Sequence, residues 1–206
     1  MNEEIMRFSS DWFYHGEVES APQIKYRSIL EDDSPITWID TSNEENQVTI
    51  EGDDVVSGEK RDDMNFHEQF VGESFGRINK AEADLTQVGK RRVLEESIDV
   101  GIISPYRAQV QYLKRLLKKY EFFKPYRRLI SVNTVDGFQG QERDVILISL
   151  VRSNDEGQIG FLKDLRRMNV AMTRARMKLI ILGDKSTMTK HPFYQKLWKY
   201  VEGLLY

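Results

Sequence analysis

Three stretches of this chain are short, rich in β-branched residues and almost free of polar interruption: residues 98–104 ("IDVGIIS"), 145–151 ("VILISLV") and 178–182 ("KLIIL"). A strand with one wet face alternates apolar and polar side chains, whereas one covered on both faces does not. Helical spacing fills the intervals. Over residues 105–120 the apolar positions are Tyr112, Leu113, Leu116, Leu117 and Tyr120, and over 191–204 they are Phe193, Leu197, Val201 and Leu204. Residues 79–96 and 161–175 also read as helices, and residues 35–40 and 129–133 as strands. This alternation predicts an α/β fold with a parallel sheet flanked by helices. Ser104 and Pro105 are expected to cap and open the 105–120 helix. In such sheets ligands bind beyond the carboxyl ends of the strands, so chemistry is sought just after "IIS", "ISVN", "ISLV" and "IILG".

At 206 residues the chain is sized for one domain carrying an insertion. Residues 41–75 are the least core-like segment: polar, acidic and marked by Glu51-Gly52 and Ser57-Gly58 turn signals. They are expected to form a partly disordered surface insertion, with a short strand at 47–50. Charge divides the chain. Residues 1–70 hold 18 acidic and 5 basic side chains, net −13, while the remainder is net +10. An anionic partner therefore suits the later two-thirds, although a solvated basic face would give the same count. The lack of cysteine excludes a disulfide scaffold, a thiolate zinc site and a cysteine nucleophile. Three scattered histidines argue against a metal site. No apolar run reaches the ~18 residues of a membrane span, and a cytoplasmic location is expected.

Three segments at strand ends are candidates for chemistry. Ser104-Pro105-Tyr106 precedes a helix whose free N–H groups suit a phosphate, or only a well-capped structural helix. Residues 134–144 ("TVDGFQGQERD") join two core strands with more polar side chains than a plain turn requires. Arg167 and Arg174, seven apart, fall opposite the apolar stripe of Leu165, Met168, Met172 and Ala175. Guanidiniums on that face would suit phosphate, and periodicity alone leaves a solvated face equally open. No G-x-x-x-x-G-K-[ST] phosphate loop is present.

The strings "VNTVDGFQGQERDVILISLVRSN" and "RRMNVAMTRARMKLIILGD" resemble the fifth and sixth motifs of superfamily 1 helicases. The resembled branch holds the nonsense-mediated-decay RNA helicase and the Okazaki-fragment helicase-nuclease. "GIISPYRAQVQYLKRLL", Asn79-Lys80-Ala81-Glu82-Ala83 and the opening segment are similar to other parts of the same branch, and only the acidic insertion has no match. The resemblance implies the second of two RecA-like domains, residues 1–206, in an ATP-dependent DNA or RNA helicase. The Walker A lysine and the acidic motif that holds Mg²⁺ would lie in the first domain, which is implied as a partner, and this chain alone is expected to be inactive.

By the same resemblance Arg174 is the arginine finger, and Glu142, with Gly140 and a supporting Arg167, contacts ATP. Ser104, Pro105, Tyr106, Thr134 and Asp136 face the single strand. Arg152 lies in a matched string with no role the resemblance supplies. Met1 matches the methionine of a Q-Y-R-M-H motif, and Asn2 departs from its usual histidine. A non-catalytic binding module that kept the fold is the alternative.

Overall fold

A computed structural model describes residues 1–29, 33–42, 69–71, 76–78 and 98–204. The expected helix at 79–96 and strand at 47–50 lie outside the described residues, as does most of the acidic insertion. Within that insertion β2 (Gln69–Val71) pairs antiparallel with β3 (Gly76–Ile78) just beyond it.

The main sheet contains β1 (Ile36–Asp40), β4 (Val100–Ile103), β5 (Ile130–Asn133), β6 (Arg143–Ser149) and β7 (Ala175–Gly183). All its pairs are parallel and the order is β1-β7-β6-β4-β5. Both faces are covered, which is why the inner strands β4, β6 and β7 have continuous apolar centres, whereas the edge strand β5 (ISVN) alternates. Side chains alternate across the sheet. Val100, Ile102, Val145 and Leu147 meet Val110, Leu113, Leu116 and Leu117 of α2 (Arg107–Lys119). Ile103, Ile146 and Ile148 face the opposite layer. That layer is built from α1 (Glu3–Phe13), α3 (Leu165–Met172) and α5 (Pro192–Gly203), through Ile5 and Phe8, Met168 and Met172, and Phe193 and Leu197. A short α4 (Lys185–Met188) follows β7.

Three local expectations are corrected. Helix α2 begins at Arg107, with Tyr106 at the N-cap and no side-chain cap bond. Ser104 is fully buried, and its Oγ accepts from the Tyr106 N–H at 3.4 Å, a turn that delays the helix. The 161–175 segment is broken rather than one helix. A 3₁₀ turn (Gly160–Lys163) precedes Asp164, whose Oδ1 accepts from the Arg167 N–H at 3.3 Å and starts α3 afresh. Helix α3 then stops at Met172, because Ala175 is already paired with Arg143 in the sheet. Helix α1 has no counterpart in the sequence reading. Its N-cap is Asn2, whose Oδ1 accepts from the Glu4 N–H at 2.9 Å while its Nδ2 donates to Arg27 O at 2.8 Å. The residue that departs from the family's histidine therefore ties α1 to the chain that follows it.

Candidate functional site

The residues singled out from the sequence separate onto the two opposite edges of the sheet. Ser104, Pro105, Tyr106, Thr134 and Asp136 follow the carboxyl ends of β4 and β5, as expected. Gly140, Glu142 and Arg174 do not: they precede the amino ends of β6 and β7. Across β6 (7 residues) the two edges are about 20 Å apart, at ~3.3 Å per residue. Residues 134–142 make the whole journey. From the end of β5 they cross the face of β4 to reach the start of β6, and midway the fully buried Phe138 lies over Gly101. A Cβ at Gly101 would come within 2.8 Å of the Phe138 ring. Glycine at this strand position makes the crossing possible.

At the carboxyl edge Pro105, Thr134, Asp136, Phe161, Asp164 and Arg167 line one cleft, over a floor that includes Ile148, Met168 and Ala171. Arg167 is half exposed and reaches both Asp136 (3.6 Å) and Asp164 (3.4 Å). The structure thus groups Arg167 with the residues assigned to the strand, away from Glu142 and Arg174. Asn133 shapes the rim: its Oδ1 accepts from the Thr134 N–H at 2.9 Å and its side chain occupies the space a Cβ on Gly137 would need.

The amino edge is a band of charge. Arg176 bridges Glu142 (3.4 Å) and Asp144 (3.5 Å). Burial opposes its charge, but the hydrogen bond it donates to Glu142 and the field of Asp144, Asp99 and Glu142 outweigh it and raise the pKa. Asp99 and Asp144 each accept the other's backbone N–H, at 2.6 and 3.3 Å, which locks the start of β6 to β4. Arg143, which the sequence reading left without a role, donates to Ser131 Oγ (3.0 Å) and to Glu142 O (2.7 Å). It holds the turn on which the Glu142 carboxylate stands exposed. Gly140, at φ +76°, has open space where a Cβ would sit, so a ligand can approach its backbone.

Arg174 is not on a helix face. It occupies the turn between α3 and β7, where its Nε donates to Val170 O (3.0 Å) and its Nη2 to Thr173 Oγ1 (3.3 Å). Among the described residues no carboxylate pairs with it, unlike Arg167 and Arg176. Helix α3 behind it is anchored by Asn169, which accepts from Ser9 Oγ and donates to Tyr14 Oη at 3.1 Å. Among the described residues no cluster of three or more His, Asp or Glu side chains could hold a metal ion.

Beyond β6 the chain turns sharply. Val151 is buried at φ +70°, and the Arg152 N–H donates back to Leu150 O at 2.8 Å, a strained γ-turn. The buried Arg152 donates through Nε to Gln158 O at 2.6 Å, so it shapes the 153–160 loop. Asp184 fastens the same loop by accepting from Ser153 Oγ (2.8 Å), Thr187 Oγ1 (2.8 Å) and the Thr187 N–H (3.0 Å). Burial alone would raise its pKa, but hydrogen bonds from Ser186, Thr187 and Ser153 prevail and lower it below 3.8. Its stabilising contribution is therefore complete above the unfolded value and disappears as pH falls through the lower folded value. Asp184→Asn is expected to cost ~1–3 kcal/mol at pH 7. The gap between the two urea midpoints should close as pH drops below that of a free aspartate. A gap independent of pH would refute the assignment.

The sequence profile of the AAA domain matches residues 1–186. An uncharacterised ATP-dependent helicase of Methanocaldococcus jannaschii is 34% identical over 206 residues, covering 99% of this chain and 28% of that protein. The chain is a superfamily 1 helicase domain. It belongs to the family of the DNA polymerase alpha-associated DNA helicase A of Saccharomyces cerevisiae (36% identical, covering 89% of this chain and 26% of that one). A homolog of regulator of nonsense transcripts 1 from Drosophila melanogaster is 31% identical, over 98% of this chain and 16% of its own length. The chain thus spans 16–28% of the length of these relatives. Membership accounts for the RecA-like sheet.

Proposed function

We propose that this domain is the second motor domain of an ATP-dependent helicase, with the nucleotide at its amino edge and a single strand of DNA or RNA at its carboxyl edge. The observation that carries this reading is the crossover of residues 134–142. One short segment supplies Thr134 and Asp136 to the cleft and Gly140 and Glu142 to the opposite edge, with a buried aromatic ring fixed between them. A nucleotide-dependent shift of Glu142 would move the strand-facing residues with it. Glu142 and Gly140 form one wall for the nucleotide, and Arg174 offers a guanidinium that no carboxylate among the described residues compensates, for phosphate charge. The first RecA-like domain would supply the triphosphate loop and Mg²⁺.

On the strand side, Arg167 at the cleft mouth and the uncapped start of α2 face the phosphates. This reading moves Arg167 from the nucleotide to the strand. The test uses a labelled oligothymidylate and its salt dependence. Arg167→Ala should weaken binding by about tenfold and reduce the slope of log K against log salt by ~1, the loss of one phosphate contact. ATP affinity should stay unchanged in the same variant. Loss of ATP binding with strand affinity intact would return Arg167 to the nucleotide.

A further inference from the structure

We propose that Phe161 is a base-stacking residue, on which one nucleotide of the bound strand lies at the rim of the carboxyl-edge cleft. The inference rests on the placement of the strand in that cleft. Phe161 is 69% exposed although it lies between the buried Ile159 and Leu162, which are 1% and 4% exposed. A large apolar ring is therefore held out in water by a turn whose neighbours are packed in the core. Tyr194 Oη donates to Leu162 O at 2.8 Å and pins the far side of the 3₁₀ turn. On the near side Gly160 adopts φ +56°, and a Cβ there would meet Tyr106 Oη at 2.9 Å. The buried Tyr106 lies behind the exposed ring, with centroids 5.8 Å apart and planes at 55°. Phe161 is thus backed by one aromatic ring, leaves most of its surface open, and borders the same cleft as Thr134, Asp136 and Arg167.

Charge complementarity selects the occupant. Exposed Lys163, Arg166 and Arg167 follow within six residues of the ring, and exposed Arg107 opens α2 beside Tyr106. Asp136 and Asp164 are the acidic groups at the cleft, and both are bridged by Arg167. An aromatic ring that shares its cleft with the Arg167 guanidinium matches a base attached to a phosphate, and stacking is sequence-tolerant because every base has a π-face. A rigid ring also loses little entropy when it is covered.

The test measures binding of this chain to a fluorescein-labelled oligothymidylate. The variants are Phe161→Ala, Phe161→Leu and Phe161→Trp, with Arg167→Ala as the marker for the cleft. Phe161→Ala should weaken binding about tenfold, within the range for loss of one stacked base, and leave the salt slope unchanged. Phe161→Leu should remain weak because it keeps apolar bulk without a π-face, and Phe161→Trp should restore or exceed the parent affinity. Urea midpoints should match throughout, since the side chain is exposed. If Arg167→Ala weakens binding and Phe161→Ala does not, or if leucine serves as well as phenylalanine, the stacking role is wrong while the cleft stands. If the parent chain does not bind, or neither variant changes its affinity, the cleft reading has failed and the stacking role falls with it. Self-association of the free chain that disappears in Phe161→Ala would show that a second copy covers the ring, and would also overturn the proposal.

Discussion

Replacing Arg174 with alanine in the complete motor is expected to reduce ATP turnover by roughly 10³-fold or more, with nucleotide affinity changed by less than about tenfold. The side chain stands in the turn before β7, beside the edge that carries Gly140 and Glu142. Its guanidinium is oriented by Val170 O and Thr173 Oγ1 and, among the described residues, is neutralised by no carboxylate. That combination holds a cation in place while leaving its charge for an anion. Arg176, two residues on, shows the contrast: it spends its charge on Glu142 and Asp144. The two intrachain hydrogen bonds mean the alanine variant should also lose ~1 kcal/mol of stability. Arg174→Lys should rescue poorly. A single ammonium cannot keep the bond to Val170 O and reach a phosphate, whereas a planar fork can do both. Near-normal turnover in Arg174→Ala, or a stability loss above ~3 kcal/mol, would identify a structural arginine instead. Measuring kcat, nucleotide Kd and the urea midpoint on both variants separates the outcomes.

Much of this architecture could be read from the residues because burial leaves its mark on composition. β4, β6 and β7 are covered on both faces, and their central residues, Ile102 and Ile103, Val145 to Ile148 and Leu179 to Leu182, are runs of Ile, Val and Leu. The stripe of α2, Leu113, Leu116 and Leu117, reads directly as a core face. What could not be read depends on where the chain lies in space. Gly140 and Thr134 are six residues apart in one loop, and no periodicity shows that they end on opposite edges of a sheet. That separation follows from β5 and β6 running parallel, one on each side of β4. Arg174 continues the spacing of α3, so the pattern extends the helix through it. Strand pairing of Ala175 with Arg143 ends that helix earlier. Helix α1 was legible in principle, since Asn2 can cap and Ile5, Phe8 and Trp12 share a face, but its acidic, mixed surroundings masked the stripe. Phe161 carried no sequence signal. An apolar residue in an apolar stretch reads as core, and only the neighbouring burial of Ile159 and Leu162 shows that it points outward.

The crossover should prove to be the most sensitive packing point of the domain. Phe138→Ala is expected to cost ~3–5 kcal/mol, the usual range for a fully buried phenylalanine. Gly101→Ala should cost ~1–3 kcal/mol by overpacking. Its new methyl group would sit 2.6 Å from Ile146 Cδ1 and 2.8 Å from Phe138 Cε1. Ile146 Cδ1 is the end of a flexible side chain and can move; the ring, flanked by Val135 and the turn it closes, cannot. The two sites should therefore couple. Phe138→Leu removes the ring atoms that the methyl would strike, so Gly101→Ala should cost at least ~1 kcal/mol less in the Phe138→Leu background than in the parent. A urea-denaturation cycle over the four proteins measures that difference directly. Strict additivity would mean that residues 134–142 do not rest on β4 and that the path between the edges is wrong. The same cycle bears on function in the complete motor. A leucine at 138 leaves Thr134 and Glu142 chemically intact but loosens the link between them. Basal ATP turnover should then fall less than its stimulation by single-stranded nucleic acid, because stimulation alone requires the two edges to move together. Equal loss of both would assign Phe138 to stability and remove the crossover as the carrier of coupling.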